Sequence, residues 1–468
     1  MLQSVKELLS GLEERLEEPT ARGLARAVSR GLRDGLLGAG DRLPPIRTVA
    51  IELGLSPTTV SAAWALLARS GAISTDGRRG TTIATEPGFG SVRYRRALGR
   101  NSSFDLDLST GVPDENLLPD LSRVLRSMTV TATPSSYLDD PVLPELLDVL
   151  RRDWPANAAH LTVVDGAMDA LDLVCRSVLR LGDRVIVESP CFPPLLDLLE
   201  ALRVDVVGVP VDDEGLRVEP LAAALAGPAN GSTNGSRAGS TAATVAVFLQ
   251  PRAQNPTGAS LSAGRAAELA ELIRGTNALI IEDDSAGAVA ASDAISLGPL
   301  LADRAVHIRS FSKSHGPDLR LAAISAPPEV MHEITGRRQL GQGWSSRLLQ
   351  RILLGLLTDP VSIREVAEAR EEYARRRALL VGALADRGVT VNGRDGMNIW
   401  VPVADEPAAV LRLASQGIGV TAGAPFAVLP GQSGFVRVTA GLLADRHDQV
   451  ADALAAAARA GGWPGVLR

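Results

Sequence analysis

The feature that most constrains the fold is a series of short apolar runs between residues 161 and 325, separated by segments with helical spacing of apolar residues. The predicted strands are Leu161–Val164, Arg184–Val187, Val204–Val209, Thr244–Leu249, Ala278–Ile281, Ala305–Ile308 and Leu321–Ser325. Most runs are continuous rather than alternating, as expected for strands buried on both faces of a sheet. The predicted helices between them include Asp169–Leu181 and Pro194–Ala201. Strands that alternate with helices predict an α/β domain with a largely parallel sheet.

The first 84 residues follow a different pattern, in which helical periodicity precedes a hairpin. The apolar faces of three predicted helices are Leu24, Ala27, Val28, Leu32 and Leu36; then Ile46, Val49, Ala50 and Leu53; then Val60, Ala63, Trp64 and Leu67. Gly54 ends the second helix, Ser56 suits an N-cap, and Pro57 suits the first helical position, where its missing N–H costs nothing. Two β-branched runs around Gly77–Gly80 predict a hairpin with a basic tip. Together these elements predict a winged helix-turn-helix.

The segment "LPPIRTVAIELGLSPTTVSAAWALL" resembles the signature of the GntR family, whose members bind DNA. The matching residues are Leu43, Pro44, Arg47, Ala50, Leu53, Gly54, Ser56, Thr59, Val60, Ala63, Trp64, Leu67 and Gly71. Pro45 stands where the family usually has Ser, which removes one hydroxyl that could bind a phosphate. The resemblance covers about 60 residues.

The 468-residue chain is long enough for several domains. Residues 85–104 contain Pro, Gly and four Arg without an apolar period, which is typical of a linker, and Gly227–Thr241 is typical of a flexible surface loop. From about residue 360 a long charged helix leads into a smaller α+β block that ends in a helix at Ala444–Arg459. We therefore expect a winged helix-turn-helix at 1–84, a linker at 85–104, a large domain at 105–360 and a small subdomain at 361–468.

Charge and cysteine content restrict the partners and the compartment. Residues 1–84 carry 11 basic and 9 acidic side chains, and residues 85–104 add four Arg against one Glu, although the whole chain has a net charge of -6. This bias predicts that only the amino-terminal part approaches a polyanion. The two cysteines, Cys175 and Cys191, fit a reducing compartment. Since no apolar run reaches the roughly 18 residues of a membrane span, we expect a cytoplasmic protein without a membrane partner. We predict no metal site.

Lysine is almost absent from this chain, which draws attention to Lys313. Of 48 basic residues, only Lys6 and Lys313 are lysines. Arginine serves as well wherever only positive charge is needed, but a Schiff base requires a primary amine that can lose its proton. A chance surface lysine is the alternative for this residue taken alone. The neighbouring residues favour a functional lysine, because "SFSKSHGPDLRLAAI" resembles the lysine segment of fold-type-I pyridoxal phosphate enzymes.

This resemblance, which covers about residues 105–460, implies a cofactor site for pyridoxal 5'-phosphate. Lys313 would form the Schiff base, and Asp283 would pair with the pyridine nitrogen and keep the ring electron-withdrawing. Asn255 of the Asn-Pro-Thr-Gly motif would donate to the phenolate oxygen, and Phe192 would stack on the ring. The residues implied for the phosphate are Gly166 and Ala167 at a helix N-terminus, Ser310, Ser312, Arg320, and Tyr137 for the phosphate of the partner subunit. Arg437 in "GFVRVTAG" would hold the carboxylate of an amino-acid ligand.

The sequence also departs from the family pattern. Ser285 follows the two aspartates where the family usually has Tyr, and Phe192 replaces a stacking Tyr. Val142 and Leu143 stand near the usual Gly of the motif around Tyr137. These changes remove groups that tune the acidity of the site, so they favour binding of an amine over its turnover. His315 is expected to be structural or to face solvent.

A GntR-type winged helix fused to such a domain resembles the MocR subfamily of transcriptional regulators. The resemblance implies a cytoplasmic homodimer, commonly domain-swapped, that binds operator DNA and senses a small amino compound through the cofactor. The residues expected at DNA are Arg47, Ser56, Thr58, Thr59, Ser61, Arg78 and Arg79. One alternative is an aminotransferase with an accessory DNA-binding domain, and another is a sensor of pyridoxal phosphate itself.

Overall fold

The computed structural model describes most of the chain. The described residues are 5–16, 18–33, 36–38, 40–69, 73–76, 80–83, 93, 104–128, 136, 139–156, 158–227, 244–429 and 434–459. The chain divides into two compact units, Met1–Val92 and Arg93–Arg468. Tyr137, Arg78, Arg79 and most of the predicted loop at Gly227–Thr241 lie outside the described residues.

The first unit is a winged helix-turn-helix, as the sequence predicts. Its elements are helices α1 (Val5–Glu13), α2 (Ala21–Arg33), α3 (Ile46–Glu52) and α4 (Pro57–Arg69), and strands β1 (Ile73–Asp76) and β2 (Gly80–Ile83). The turn between α3 and α4 contains Gly54 at φ +64°, a conformation that favours glycine. Val60 and Trp64 are buried on α4, and β1 and β2 form the antiparallel hairpin of the wing. The two helices around a tight turn are therefore held on one apolar core.

The second unit is built on an eight-stranded mixed sheet. Its strands are β4 (Leu161–Val164), β5 (Arg184–Ser189), β6 (Asp205–Asp212), β7 (Gly215–Leu216), β8 (Thr244–Leu249), β9 (Leu279–Asp284), β10 (Ala305–Ser310) and β11 (Ala322–Ser325). The order across the sheet is β4-β11-β10-β9-β8-β5-β6-β7. Strands β10, β9, β8, β5 and β6 run parallel, whereas β11 is antiparallel to both of its neighbours and β7 is antiparallel to β6. The seven predicted strands are all present, and the largely parallel sheet is confirmed, except that the predicted strand β11 and the additional short strand β7 run antiparallel to their neighbours.

Helices cover both faces of this sheet. They are α5 (Leu121–Ser127), α6 (Pro144–Arg151), α7 (Ala167–Val178), α8 (Pro193–Ala201), α9 (Val218–Ala226), α10 (Ala263–Arg274), α11 (Pro328–Gln339) and α12 (Arg347–Thr358). Neighbouring residues of β5 point to opposite faces: Val185 and Val187 pack in one core with Leu171 of α7, and Ile186 packs in another with Leu269 of α10. A strand buried on both faces explains why the sequence shows continuous apolar runs.

The carboxyl-terminal part forms a smaller α+β body around the long helix α13 (Pro360–Asp386), which begins where the sequence predicts it. The remaining elements are β3 (Leu106–Asp107), β12 (Ile399–Pro402), α14 (Glu406–Ala414), β13 (Ile418–Gly419), β14 (Thr421–Ala422), β15 (Phe435–Val438) and α15 (His447–Ala458). Strand β15 lies between β12 and β14, and β3 pairs with β13. The buried face of α13, including Leu380 and Leu384, packs against β12 and β15. Within the described part of the chain, no helix is long and apolar enough to cross a membrane.

We expect the core beneath α7 to contribute to the stability of the second unit. Leu171 is fully buried there, whereas Leu181, shortly after the same helix, is 62% exposed. Leu171→Ala should lower the free energy of unfolding by about 2–5 kcal/mol, because it removes buried methyl groups and leaves a cavity. Leu181→Ala should change it by less than about 0.5 kcal/mol. Denaturant unfolding of the two variants would measure this, and equal effects would contradict the packing described.

Candidate functional site

The sheet brings distant polar residues together at one edge. Strands β4, β8, β9 and β10 all point the same way, since β11 is antiparallel to both β4 and β10. At their carboxyl ends, Gly166 follows β4 by two positions and Gln250 directly follows β8. Asp283 and Ser310 lie within the last residues of β9 and β10. Carboxyl ends of strands in an open α/β sheet are where ligands bind, so this edge is the candidate site.

Asp283 presents an oxygen that lacks a protein partner. Its side chain is buried, and Oδ2 accepts a 2.7 Å hydrogen bond from Nε2 of Gln250. Oδ1 is also buried and has no hydrogen-bond partner among the described residues. Burial raises the pKa of Asp283 to about 6, although the bond from Gln250 and the charge of Lys313 lower it. A protonated ring nitrogen is the kind of donor that would satisfy Oδ1 and favour the ionised carboxylate.

The adjacent Asp284 has a different role. Its two oxygens accept hydrogen bonds from Nε and Nη2 of the buried Arg252, at 2.9 and 2.7 Å. Burial raises the pKa of Asp284, but this bidentate pairing outweighs burial and holds the pKa below its ordinary value. Asp284 is thus committed to Arg252, and Asp283 alone of the two remains available to a ligand.

Lys313 lies just beyond the carboxyl end of β10, within electrostatic range of Asp283. Burial lowers the pKa of its amine, Asp283 opposes this shift, and the positive charge of Arg437 adds to it. An amine with a lowered pKa loses its proton more easily and becomes a better nucleophile for a carbonyl carbon. His315, two residues later, pairs with the hydroxyl of Ser314 at 2.8 Å and packs edge-on against Phe311, which fits a structural role.

A cradle for an anion forms where β4 meets α7. Gly166 has φ +98° and precedes the helix without a side-chain cap, so the first N–H groups of α7 are not capped by its own N-cap residue. A Cβ at this position would lie 2.9 Å from Nη2 of Arg320. The same nitrogen donates to the carbonyl of Asp165 at 3.5 Å. The structure thus brings Gly166, Ala167 and Arg320 together, at a helix N-terminus suited to phosphate.

In the described part of the chain, the two serines predicted to bind phosphate form no hydrogen bond with the residues of the anion cradle. Ser310 is buried at the end of β10, and its hydroxyl accepts a 3.3 Å hydrogen bond from the backbone N–H of Ser312. Among the described residues, no hydrogen bond joins either serine to Arg320 or Gly166. Their part in binding phosphate therefore stays a prediction.

Arg437 and Asn255 contact each other, and the charge of Arg437 acts on Lys313. Nη1 of Arg437 donates to Oδ1 of Asn255 at 3.4 Å, and Nη2 donates to the hydroxyl of Thr421 at 3.1 Å and to the carbonyl of Ser109. A Cβ at Gly111 would lie 3.3 Å from the guanidinium. Such a buried, oriented guanidinium is suited to bind a carboxylate.

Phe192 is the residue that precedes α8, and it lines a small cavity together with Asp283. Glu188, Cys191 and Leu195 line the same cavity. The aromatic side chain is therefore close to the acid predicted for the ring nitrogen, as stacking on a cofactor ring requires.

Gln250 is a site residue that the sequence motifs do not include. Its Oε1 accepts the backbone N–H of Asn255 at 2.7 Å, and because a backbone N–H can only donate, the orientation of the amide is fixed. Its Nε2 must then face Asp283 and Ser285, to which it donates at 2.7 and 3.1 Å. A polar residue directly after a buried strand is the sequence signal that would have identified it.

Glu188 is a second such residue, at the carboxyl end of β5. One of its oxygens accepts the backbone N–H of Gln250 at 3.2 Å and Nε2 of Gln254 at 3.3 Å. Burial raises the pKa of Glu188 to about 8, and the nearby Asp283 adds to this against the two bonds. Glu188 is therefore largely protonated near neutral pH, which avoids a second negative charge beside Asp283.

In the first unit, the predicted DNA residues lie at the start of α4 and on α3. Arg47, Ser56, Thr58 and Ser61 are exposed, and Thr59 is half-buried. The hydroxyl of Ser56 accepts the backbone N–H of Thr59 at 3.0 Å and lies 2.7 Å from the hydroxyl of Thr58. Ser56 thus caps the helix, while Thr58 and Ser61 remain at the surface.

Two family models match the chain. Residues 20–83 match the model described as bacterial regulatory proteins, gntR family, and residues 105–454 match aminotransferase class I and II. The vitamin B6 salvage pathway transcriptional repressor PtsJ of Salmonella typhimurium is 34% identical over 92% of this chain and 96% of its own length. The pyridoxine biosynthesis transcriptional regulator PdxR of Corynebacterium glutamicum is 29% identical over 86% of this chain and 88% of its own.

Solved structures of aminotransferases share the fold of the second unit. An archaeal alanine:glyoxylate aminotransferase superposes with a TM-score of 0.66 at 22% identity, over 77% of this chain and 91% of its own. Kynurenine aminotransferase of Pyrococcus horikoshii superposes with a TM-score of 0.67 at 21% identity, over 76% of this chain and 90% of its own. The chain thus combines a GntR-type winged helix-turn-helix with a fold-type-I domain that binds pyridoxal phosphate. Its second unit belongs to the aminotransferase class I and II family, and the chain as a whole belongs to the MocR subfamily of GntR-type, DNA-binding transcriptional regulators.

Proposed function

We propose that this regulator binds pyridoxal phosphate at the sheet edge around Lys313 and senses an amino compound there. The observation that carries the proposal is the buried Oδ1 of Asp283, which has no hydrogen-bond partner in the described part of the chain and lies within electrostatic range of a lysine whose pKa is lowered. The cradle of Gly166 and Arg320 supplies a separate place for a phosphate. An acid for a ring nitrogen, an amine for an aldehyde and a cradle for a phosphate together match the three reactive parts of this cofactor.

Each residue would have a defined task toward the cofactor. When bound, pyridoxal phosphate supplies an aldehyde and an electron-withdrawing ring. Lys313 would bond to the aldehyde carbon, Asp283 would accept from the ring nitrogen, and Asn255 would donate to the phenolate oxygen. The phosphate contacts proposed are those of Gly166, Ala167, Ser310, Ser312 and Arg320, with Tyr137 reaching the phosphate of a partner subunit. Phe192 would lie against the ring.

The ligand is proposed to be a small amine that carries a carboxylate. Arg437 is buried and held by Ser109, Thr421 and Asn255, so its charge is oriented in advance for an anion. The amine of such a ligand would replace Lys313 at the cofactor, while its carboxylate pairs with Arg437. Ser285 stands where the related enzymes usually have Tyr, and it accepts from Gln250, which favours binding of the amine over turnover.

A second candidate signal is pyridoxal phosphate itself. The relatives PtsJ and PdxR are named as regulators of vitamin B6 salvage and of pyridoxine biosynthesis. A regulator of either pathway would need no signal beyond occupancy of the cofactor site.

Further parts of the proposal concern assembly and location. We propose a homodimer, because Tyr137 matches a residue that serves the partner's phosphate, and a domain-swapped one, as the family resemblance implies. A cytoplasmic location is supported by the free thiols of Cys175 and Cys191, both buried, and by the DNA partner. The borders at residues 84, 104 and 360 remain proposed domain limits within the two compact units.

Removal of Lys313 tests the cofactor assignment. Lys313→Ala should lose the visible absorbance of a lysine-bound cofactor, because the chain then lacks an amine at the sheet edge. Lys6→Ala is a matched control, since it removes the other lysine of the chain and should keep the absorbance. Absorbance spectra after incubation with pyridoxal phosphate would decide, and a band that persists in Lys313→Ala would reject the assignment.

The acidity of Asp283 makes cofactor affinity pH-dependent. Its pKa is about 6 in the cofactor-free protein, so the anion that pairs with a protonated ring nitrogen forms as the pH rises through about 6. The ratio of wild-type to Asp283→Asn affinity for pyridoxal phosphate should therefore rise with pH, by up to about tenfold per unit below pH 6. Titrations at pH values from about 5 to 7.5 would measure this ratio. A ratio independent of pH would contradict the role of Asp283.

DNA binding is tested with Arg47, which is exposed on α3. Arg47→Ala should weaken binding to promoter DNA and lower the slope of log affinity against log salt by about 0.9, the contribution of one phosphate contact. Arg176→Ala is the control, because Arg176 is an exposed arginine of the second unit paired with Asp172. Gel-shift titrations at several salt concentrations provide the slopes, and equal slopes for both variants would exclude the contact.

The same gel shifts separate the two candidate signals. If an amino compound is the signal, loading with pyridoxal phosphate alone should leave DNA affinity unchanged, and addition of amines should shift it. If the cofactor is the signal, cofactor-free and cofactor-loaded protein should already differ.

A further inference from the structure

Two carboxylates lie beside the anion cradle, an unexpected place for negative charge. Asp165 immediately precedes Gly166, and Asp169 lies in the first turn of α7. Their side chains are 25% and 32% exposed, so water screens them only partly. A phosphate monoester near neutral pH carries a charge of about -1.5 to -2. Without compensation, these two acids would repel it.

The carboxylate of Asp169 has a clear structural task. Its Oδ2 accepts the backbone N–H of Asp165 at 3.0 Å, across the turn that contains Gly166. This bond fixes the backbone on the side of the cradle where β4 ends. The acid therefore shapes the turn, but its negative charge remains next to the place proposed for the phosphate.

Arg338, near the end of α11, compensates both carboxylates. Its Nη1 lies 3.2 Å from Oδ2 of Asp165 and 3.1 Å from Oδ2 of Asp169, and its Nη2 donates to Asp165 as well. The same Nη2 donates to the hydroxyl of Ser345, which in turn donates to the carbonyl of Val163 in β4. One guanidinium thus pairs with two acids, offsets one of their two negative charges, and is anchored to the strand that leads into the cradle.

Arg338 acts through these acids and not by touching the phosphate. Its side chain is only 5% exposed, and both terminal nitrogens already bind carboxylate or hydroxyl oxygens. Arg320 is the arginine at the cradle itself, since its Nη2 lies near Gly166. With Arg338 the four side chains Asp165, Asp169, Arg338 and Arg320 sum to zero formal charge, and without it they sum to -1.

We propose that Arg338 is a positioning residue that makes the cradle selective for the phosphorylated form of the cofactor. It pairs with Asp165 and Asp169 and offsets one of their two negative charges, so that the helix N-terminus and Arg320 attract the phosphate against less repulsion. The inference rests on the proposed function, which places the phosphate at Gly166, Ala167 and Arg320. It predicts an effect on phosphate affinity alone, which a merely structural role for Arg338 would not produce.

The test compares pyridoxal phosphate with pyridoxal, which has the same aldehyde and ring but no phosphate. In the full-length protein, Arg338→Met should weaken the binding of pyridoxal phosphate by about tenfold, the order expected for one uncompensated charge a few ångströms away. It should change the binding of pyridoxal by less than about twofold. Arg376→Met is a matched control, because Arg376 is also buried and bridges two acids, Asp114 and Glu372. It should change neither affinity. Equal weakening of both ligands by Arg338→Met would overturn the proposal.

Two further variants do not depend on the stability of Arg338→Met. The triple variant Arg338→Met, Asp165→Asn, Asp169→Asn keeps acceptor oxygens but removes all three charges, so the four positions sum to +1 and its affinity for pyridoxal phosphate should be at least that of wild type. Asp169→Asn alone keeps Arg338, so it should tighten the binding of pyridoxal phosphate several-fold and leave the affinity for pyridoxal unchanged. Unchanged or weaker phosphate binding in Asp169→Asn would overturn the proposal. Equal affinities of wild-type protein for the two ligands would instead reject the phosphate cradle itself.

Discussion

The shared direction of β4, β8, β9 and β10 is the constraint on which the site depends. It places four strand ends at one sheet edge, although the residues there are up to 147 positions apart in the chain, from Gly166 to Lys313. Because the strands are buried on both faces, polar side chains at their ends lose contact with water on folding and need hydrogen-bond partners within the protein. Gln250, Arg252 and Arg338 provide these partners, and each leaves a neighbouring group free for a ligand. The supporting contacts are therefore as much a part of the site as the groups that would touch the cofactor.

The amide of Gln250 physically joins the two halves of the proposed ligand site. It donates to Asp283 and accepts from Asn255, whose side chain accepts from Arg437. A continuous chain of hydrogen bonds thus runs from the acid proposed for the ring nitrogen to the guanidinium proposed for a ligand carboxylate. All four side chains are buried, so a movement of Arg437 on ligand binding would displace its hydrogen-bond partners and not surrounding water. This arrangement offers a route by which an amino compound and the cofactor would affect each other.

Local patterns in the sequence predict the elements and the residues with fixed chemistry. Continuous apolar runs predict strands such as Thr244–Leu249, because burial on both faces leaves a direct trace in the sequence. The scarcity of lysine similarly singles out Lys313. Glu188 and Arg338 escape such reasoning because their roles depend on partners far away in the chain, such as Asp165 for Arg338. Gln250, in contrast, has a local signal as a polar residue directly after a buried strand. The antiparallel direction of β11 is also not encoded in its composition, since a buried strand is apolar in either direction.

Regulation requires that a ligand in the second unit change the affinity of the first for DNA. A ligand can do so only to the extent that it binds the DNA-competent and the incompetent conformations with different affinity. Residues 1–104 are net basic and residues 105–468 are net acidic, which favours approach of DNA to the winged helix. A coupling between the two sites is reciprocal: the factor by which a ligand changes DNA affinity is the factor by which operator DNA changes ligand affinity. A purely catalytic second unit would have no reason to obey this relation with DNA, whereas a sensor must.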